Sequence, residues 1–205
     1  MESQLVVLVP IAVVWLAAGI VVDGLPRLDR ARTLRRRTGW LLTLTLTGLG
    51  LTAAVLLTDL ASTGDTPVDR AAAGLTLAVV PGIVVAACAV RRARRLRSGA
   101  AALATAPGTP APYGLRATAA HPLIALPVQM TALATVPPVL STVGVDLAAG
   151  PGMTGPAITV GGIVVIAIGV RHALRHSRLA ERALPPALTP TRTPVSARPA
   201  GALHV

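Results

Sequence analysis

The side chains able to bind a soft metal or act as a nucleophile are few: His121, His172, His176, His204 and the single cysteine, Cys88. On a helix, His172 and His176 lie one turn apart, a spacing that can chelate a metal ion. Arg171 and Arg175 flank them and repel a cation, and no carboxylate is fixed among them, so the expectation is no metal site and no cofactor. One cysteine excludes an intrachain disulfide. No nucleophile elbow, H-E-x-x-H pair, phosphate-binding loop or C-x-x-C occurs. The chain is therefore expected not to be an enzyme.

A second constellation is built from backbone breaks. Gln129 is a lone amide in an apolar stretch punctuated by Pro122, Pro127, Pro137 and Pro138. A proline frees the carbonyl four residues earlier, which in a membrane must find a partner or line a cavity. Gly82 and Gly162 each precede an arginine, Arg91 and Arg171, by nine residues. On a helix that is about 13.5 Å, near the midplane of a hydrocarbon core about 30 Å thick. Gly82, Gly162 and Gln129 are thus candidates for a midplane solute site or, more simply, for close helix packing. Gly74, Ala78, Gly82 and Ala86 recur every four residues, a spacing of small side chains that lets helix backbones approach.

The elements that carry these residues follow from composition. Of 205 residues, 53% are hydrophobic and only 13% charged, with no Phe, and the mean hydropathy is +0.68. So little charge cannot coat a water-soluble domain, and so much apolar content excludes disorder. Five apolar stretches stand out, at 5–22, 39–58, 71–90, 117–143 and 153–170. Each is long enough for a membrane-spanning helix. The fold class expected is therefore all-α, a polytopic integral membrane protein with a five-helix bundle over 1–184. No acidic residue lies inside any of the five stretches, which argues against a proton- or sodium-coupled pump. Met1–Gln4 carries Glu2 and no basic residue, unlike a secretory signal peptide.

All 19 basic residues are arginine. With Lys absent, this composition points to a GC-rich bacterial genome. Arg27, Arg30, Arg32, Arg35, Arg36 and Arg37 follow the first stretch; Arg91, Arg92, Arg94, Arg95, Arg97 and Arg116 follow the third; Arg171, Arg175 and the remaining four follow the fifth. The connection 59–70 holds only Arg70, beside Asp59, Asp65 and Asp69, and 144–156 holds none. Arginines on alternate connections place the amino terminus outside and the carboxyl terminus in the cytoplasm. The arginines abutting span ends, among them Arg35, Arg36, Arg37, Arg91, Arg92, Arg94, Arg95, Arg171 and Arg175, read as topology determinants in contact with anionic lipid headgroups. They lack the interleaved aromatics that stack on bases, so nucleic acid is not an expected partner. The location expected is the cell membrane.

Two further patterns concern organisation. Val80–Arg95 and Val160–Arg175 agree at ten of sixteen positions, including G-I-V-V and R-x-A-x-R, as a duplicated helical hairpin would. Ser98–Leu115, rich in Ala, Gly and Pro, reads as a flexible connection. Arg171, Arg175, Arg178 and Arg182 share one helical stripe, predicting a short juxtamembrane continuation of the last helix. Residues 185–205 form a Pro- and Arg-containing tail expected to be disordered. The function these features suggest is non-enzymatic: packing of helices against a second copy or a membrane partner. The alternative is a small permease for a neutral or anionic solute.

Overall fold

A computed structural model describes residues 2–62, 64, 66–106, 108–144 and 154–184. These residues form helices joined by turns, with no strand among them beyond one isolated bridge. In chain order the elements are α1 (Glu2–Gly24), a 3-10 turn (Leu25–Arg27), α2 (Ala31–Ala61) and α3 (Pro67–Val84). A π turn (Val85–Ala89) then leads into α4 (Val90–Leu103), followed by α5 (Tyr113–Ala119), α6 (Pro122–Ala134), α7 (Val136–Thr142) and α8 (Thr154–Ala183). Four helical stretches of the described residues are long and apolar enough to cross a membrane: Gln4–Arg27, Ala31–Ala61, Pro67–Leu103 and Tyr113–Thr142. The fifth expected stretch forms the first half of α8, its opening residue 153 and the tail 185–205 lying outside the described residues.

The helices overrun the apolar stretches that announce them. α2 begins at Ala31 and α4 runs to Leu103 because their arginine-rich turns still bury one face, through Leu34 on α2 and Ala93, Leu96 and Ala100 on α4. Arginine is a good helix former, and its polar head leaves the buried face undisturbed. Ser98–Leu115 is accordingly not a free linker. Past the end of α4, Ala31 N–H donates to the Thr109 carbonyl at 3.0 Å and Ala111 N–H to the Asp29 carbonyl at 2.6 Å, tying the connection to the start of α2.

The expected fourth span, 117–143, is broken into α5, α6 and α7. Pro122 stands at the start of α6, where its missing N–H costs nothing, and the His121 Nδ1 caps the new helix by accepting from Leu123 N–H at 3.1 Å. Pro137 and Pro138 likewise end α6 and open α7. Pro81 has another effect. The helix continues past it but widens one turn on, and Val90 N–H reaches back to Val85 C=O. The corresponding segment of α8, with Gly161 in place of Pro81, is α-helical throughout, so the two similar sequences do not share one backbone.

α1 lies at the centre, packed by α2, α3, α6 and α7. Its buried face carries Ile11, Trp15, Ala18 and Val22. α2 meets it with small groups: Thr38, Thr45 and Thr52 are buried, and each hydroxyl donates to a carbonyl of its own helix at 2.8 Å, which leaves no unsatisfied hydroxyl in the seam.

The small-residue stripe of α3 faces inward. A Cβ on Gly74 would lie 2.7 Å from the Pro138 Cβ, Ala78 is fully buried, and Gly82 is buried near Leu49. Ala86, by contrast, is exposed.

Candidate functional site

Polar chemistry concentrates where α1, α6 and α8 converge. The sequence reading placed no carboxylate inside a span. Asp23 lies one residue past the first apolar stretch, and α1, continuing to Gly24, holds it in its last turn. The Asp23 carboxylate accepts from Arg171 at 2.7 Å and from Arg175 at 2.9 Å, both on α8, and forms a longer pair with Arg27 at 3.4 Å. Its side chain is 22% exposed, so these pairs are shielded from water on most sides. One negative charge thus gathers three guanidinium groups, and the cluster keeps a net positive charge.

Next to this clasp runs a hydrogen-bonded chain. The Gln129 Nε2 donates to the Gly19 carbonyl at 3.4 Å, and its Oε1 faces the His172 Nε2 at 3.1 Å. An amide oxygen only accepts, so the His172 Nε2 carries the proton. The ring is fully buried, and its Nδ1 has no hydrogen-bond partner among the described residues. His172 lies beyond the fifth apolar stretch. Burial pushes its pKa below the ordinary histidine value, with Arg175 and Arg171 adding to the effect and Asp23 opposing it. A neutral ring with a bare acceptor nitrogen is the consistent state. His176, one turn on, points elsewhere: its Nδ1–H donates to the Ala117 carbonyl at 2.7 Å, and its ring lies 5.0 Å from that of His121. The two histidines that could have chelated a metal thus serve different neighbours. Among the described residues no group of three or more potential metal ligands occurs.

A cleft of about 360 Å³ opens at the same place, with the Gln129 amide, the Asp23 carboxylate and the Arg171 guanidinium along apolar walls that include Leu16, Leu133 and Ile168. Gly82 lies in a different, apolar cleft of about 160 Å³ beside Trp15 and Thr131. Gly162 is exposed, and a Cβ there would meet nothing within 4 Å. The three residues grouped at the midplane by sequence, Gly82, Gly162 and Gln129, therefore do not line one cavity. Among the described glycines of α8, Gly169 does approach the bundle: a Cβ there would lie 3.9 Å from the Leu126 side chain.

Of the arginines expected at the membrane surface, Arg171 and Arg175 enter the clasp. Arg35, Arg36, Arg37, Arg91, Arg94 and Arg95 are exposed and Arg92 half-buried. Arg116 bonds Asp29 at 2.9 Å and the Pro26 carbonyl at 3.1 Å, holding α5 to the turn after α1. The residues that sequence reasoning missed are Asp23 and the pairing of His172 with Gln129. For Asp23 a signal exists: Arg171 and Arg175, four apart on one helix face, present a ready cradle for a single carboxylate.

No protein-family model, curated protein or solved structure matches this chain.

Proposed function

We propose that this chain is a non-enzymatic, five-span integral protein of the cell membrane, amino terminus outside and carboxyl terminus in the cytoplasm, that acts by packing α8 against a second copy or a membrane partner. The observation carrying this reading is the unequal coverage of α8. From Arg171 to His176 the helix is bound to α1, α5 and α6 through Asp23, Gln129 and Ala117. Its preceding apolar half stands open, with Val160 60%, Ile163 61% and Ile166 66% exposed and with neither Gly161 nor Gly162 approached. A helix anchored at one end with an uncovered apolar face and two adjacent glycines offers the close backbone approach that membrane helix association uses. The alternation of arginine-rich and arginine-poor connections supports the orientation, and it sets anionic lipid headgroups against the arginine clusters on the cytoplasmic side.

A second reading rests on the cleft at Gln129, whose amide and neighbouring Arg171 suit a neutral or anionic solute. A permease would require that cleft to open across the bundle, and a selective flux in reconstituted vesicles would establish it.

The association surface is tested with a photo-crosslinking side chain placed at Ile163, at Ile166 or, as a control on α1, at Val6, which is 74% exposed. In native membranes the two α8 positions are expected to give a discrete protein adduct, either a dimer of the chain or one partner. Val6 is expected to give lipid adducts alone. Lipid adducts alone at all three positions would contradict the proposal.

A further inference from the structure

An arginine-lined surface lies between α2 and α4, away from the clasp. Two clefts adjoin there, of about 450 and 420 Å³. Arg94 opens onto the first, Arg32 and Arg36 onto the second, and Arg35, Arg97 and Thr43 belong to both. Gly39 makes the junction: with no side chain there, the Arg97 guanidinium comes to 3.8 Å from where its Cβ would stand. None of these five arginine side chains forms an ion pair or hydrogen bond within the described residues. Neither cleft is lined by an acidic residue, and Asp23 and Asp29 are committed elsewhere, to Arg27, Arg171 and Arg175 and to Arg116. Five uncompensated charges in so small a space repel one another, and the arrangement fits an anion that brings them together.

The walls identify the kind of anion. Moving along α2 from Arg32, Arg35 and Arg36, the groove meets Trp40, 54% exposed, and then Leu42 and Leu46. At 1.5 Å per residue, Arg35 to Leu46 covers about 16 Å along the helix. Charge, then an indole, then aliphatic surface is the order of a phospholipid from phosphate through glycerol to acyl chain. The two adjoining clefts share Arg35 and Arg97 and together present five guanidinium groups, more positive charge than a single phosphate offsets. We infer that this groove binds an anionic phospholipid carrying two phosphate groups, of the diphosphatidylglycerol class, with its phosphates across Arg35 and Arg97 and an acyl chain along Leu46. The inference rests on the membrane-embedded reading above and narrows its general headgroup contact to one built site.

The exposed Trp40 provides the readout, since Trp15, the other tryptophan, is fully buried. The full chain is reconstituted into phosphatidylcholine vesicles containing increasing fractions of a two-phosphate lipid with brominated acyl chains. A single-phosphate anionic lipid with the same bromination, matched for total charge, serves as the comparison. The two-phosphate lipid is expected to quench Trp40 fluorescence at a several-fold lower charge-matched fraction. Arg35→Gln/Arg97→Gln is expected to raise the fraction required by at least about tenfold, and Arg35→Lys/Arg97→Lys by less. Arg178→Gln/Arg182→Gln, equal in charge lost but on the exposed end of α8, is expected to leave it unchanged. Equal quenching by both lipids, or equal weakening by both glutamine pairs, would overturn the inference in favour of diffuse electrostatic attraction. Release of the lipid effect by millimolar pyrophosphate would overturn it in favour of a soluble ligand. A chain stripped from the vesicles by alkaline carbonate would fail the membrane reading itself. A chain retained without lipid preference fails this inference alone.

Discussion

Trp15→Ala is expected to destabilise the folded bundle by about 3 kcal/mol, the largest effect of any single truncation in the core. The Trp15 side chain is fully buried at the centre of α1, and its Nε1–H donates to the Thr52 Oγ1 at 3.2 Å. The ring lies directly on Gly48 of α2: a Cβ there would come within 2.8 Å of the indole Cε2. In a bilayer the lost side chain is not exchanged for water, so the transfer contribution is small and the loss comes from the cavity and its missing contacts. The cavity would join the apolar cleft of about 160 Å³ that Trp15 already lines. Thr52 would not be orphaned, since its hydroxyl also donates to the Gly48 carbonyl. Trp15→Phe, which keeps a ring on Gly48, is expected to recover most of the stability. The converse change, Gly48→Ala, is expected to cost about 1–3 kcal/mol by overpacking. Thermal unfolding in mild detergent, followed by circular dichroism, reads all three, and an unchanged midpoint for Trp15→Ala would refute the packing described.

Asp23→Asn is expected to loosen α8 from the bundle at a cost of about 1–3 kcal/mol, between the values for exposed pairs and fully buried ones. The substitution keeps shape and removes the one negative charge that Arg27, Arg171 and Arg175 share. Three guanidinium groups are then left facing one another in a partly shielded site. Arg171→Gln is expected to cost less, because Arg175 still holds the carboxylate at 2.9 Å. Limited trypsin digestion separates these outcomes. In the parent chain Arg175 is half-buried in the clasp, and cleavage there should be slow. In Asp23→Asn it should become several-fold faster. Equal rates in the two proteins would show that the clasp does not hold α8.

The helices were legible because apolar runs of membrane length leave few other solutions, while the direction suggested by the alternating arginines belongs to the proposal tested below. The stripe through Gly74, Ala78, Gly82 and Ala86 was legible as a spacing of small residues; a Cβ on Gly74 would meet Pro138, whereas Ala86 is exposed. Where each helix ends was less so, because arginine permits either continuation or exit: the buried faces of Leu34 and Leu96, a tertiary fact, decide for continuation. The breaks at Pro122 and Pro137 were visible as prolines, yet sequence alone does not distinguish a kink from a new helix. The clasp was hidden for a different reason. Asp23 and Arg175 are 152 residues apart, and pairing at that separation depends on which helices are neighbours. The same holds for Gln129, legible as a lone amide but not as the partner of His172.

Whether α8 crosses the membrane decides the account, because only a fifth crossing puts residues 145–153 and 185–205 on opposite sides. Reporter fusions after Asp65, Gly108, Gly150 and Ala187 provide the measurement. The account expects Asp65 and Gly150 to read as external and Gly108 and Ala187 as cytoplasmic. Gly150 and Ala187 reading on the same side, or Asp65 reading as cytoplasmic, would contradict it.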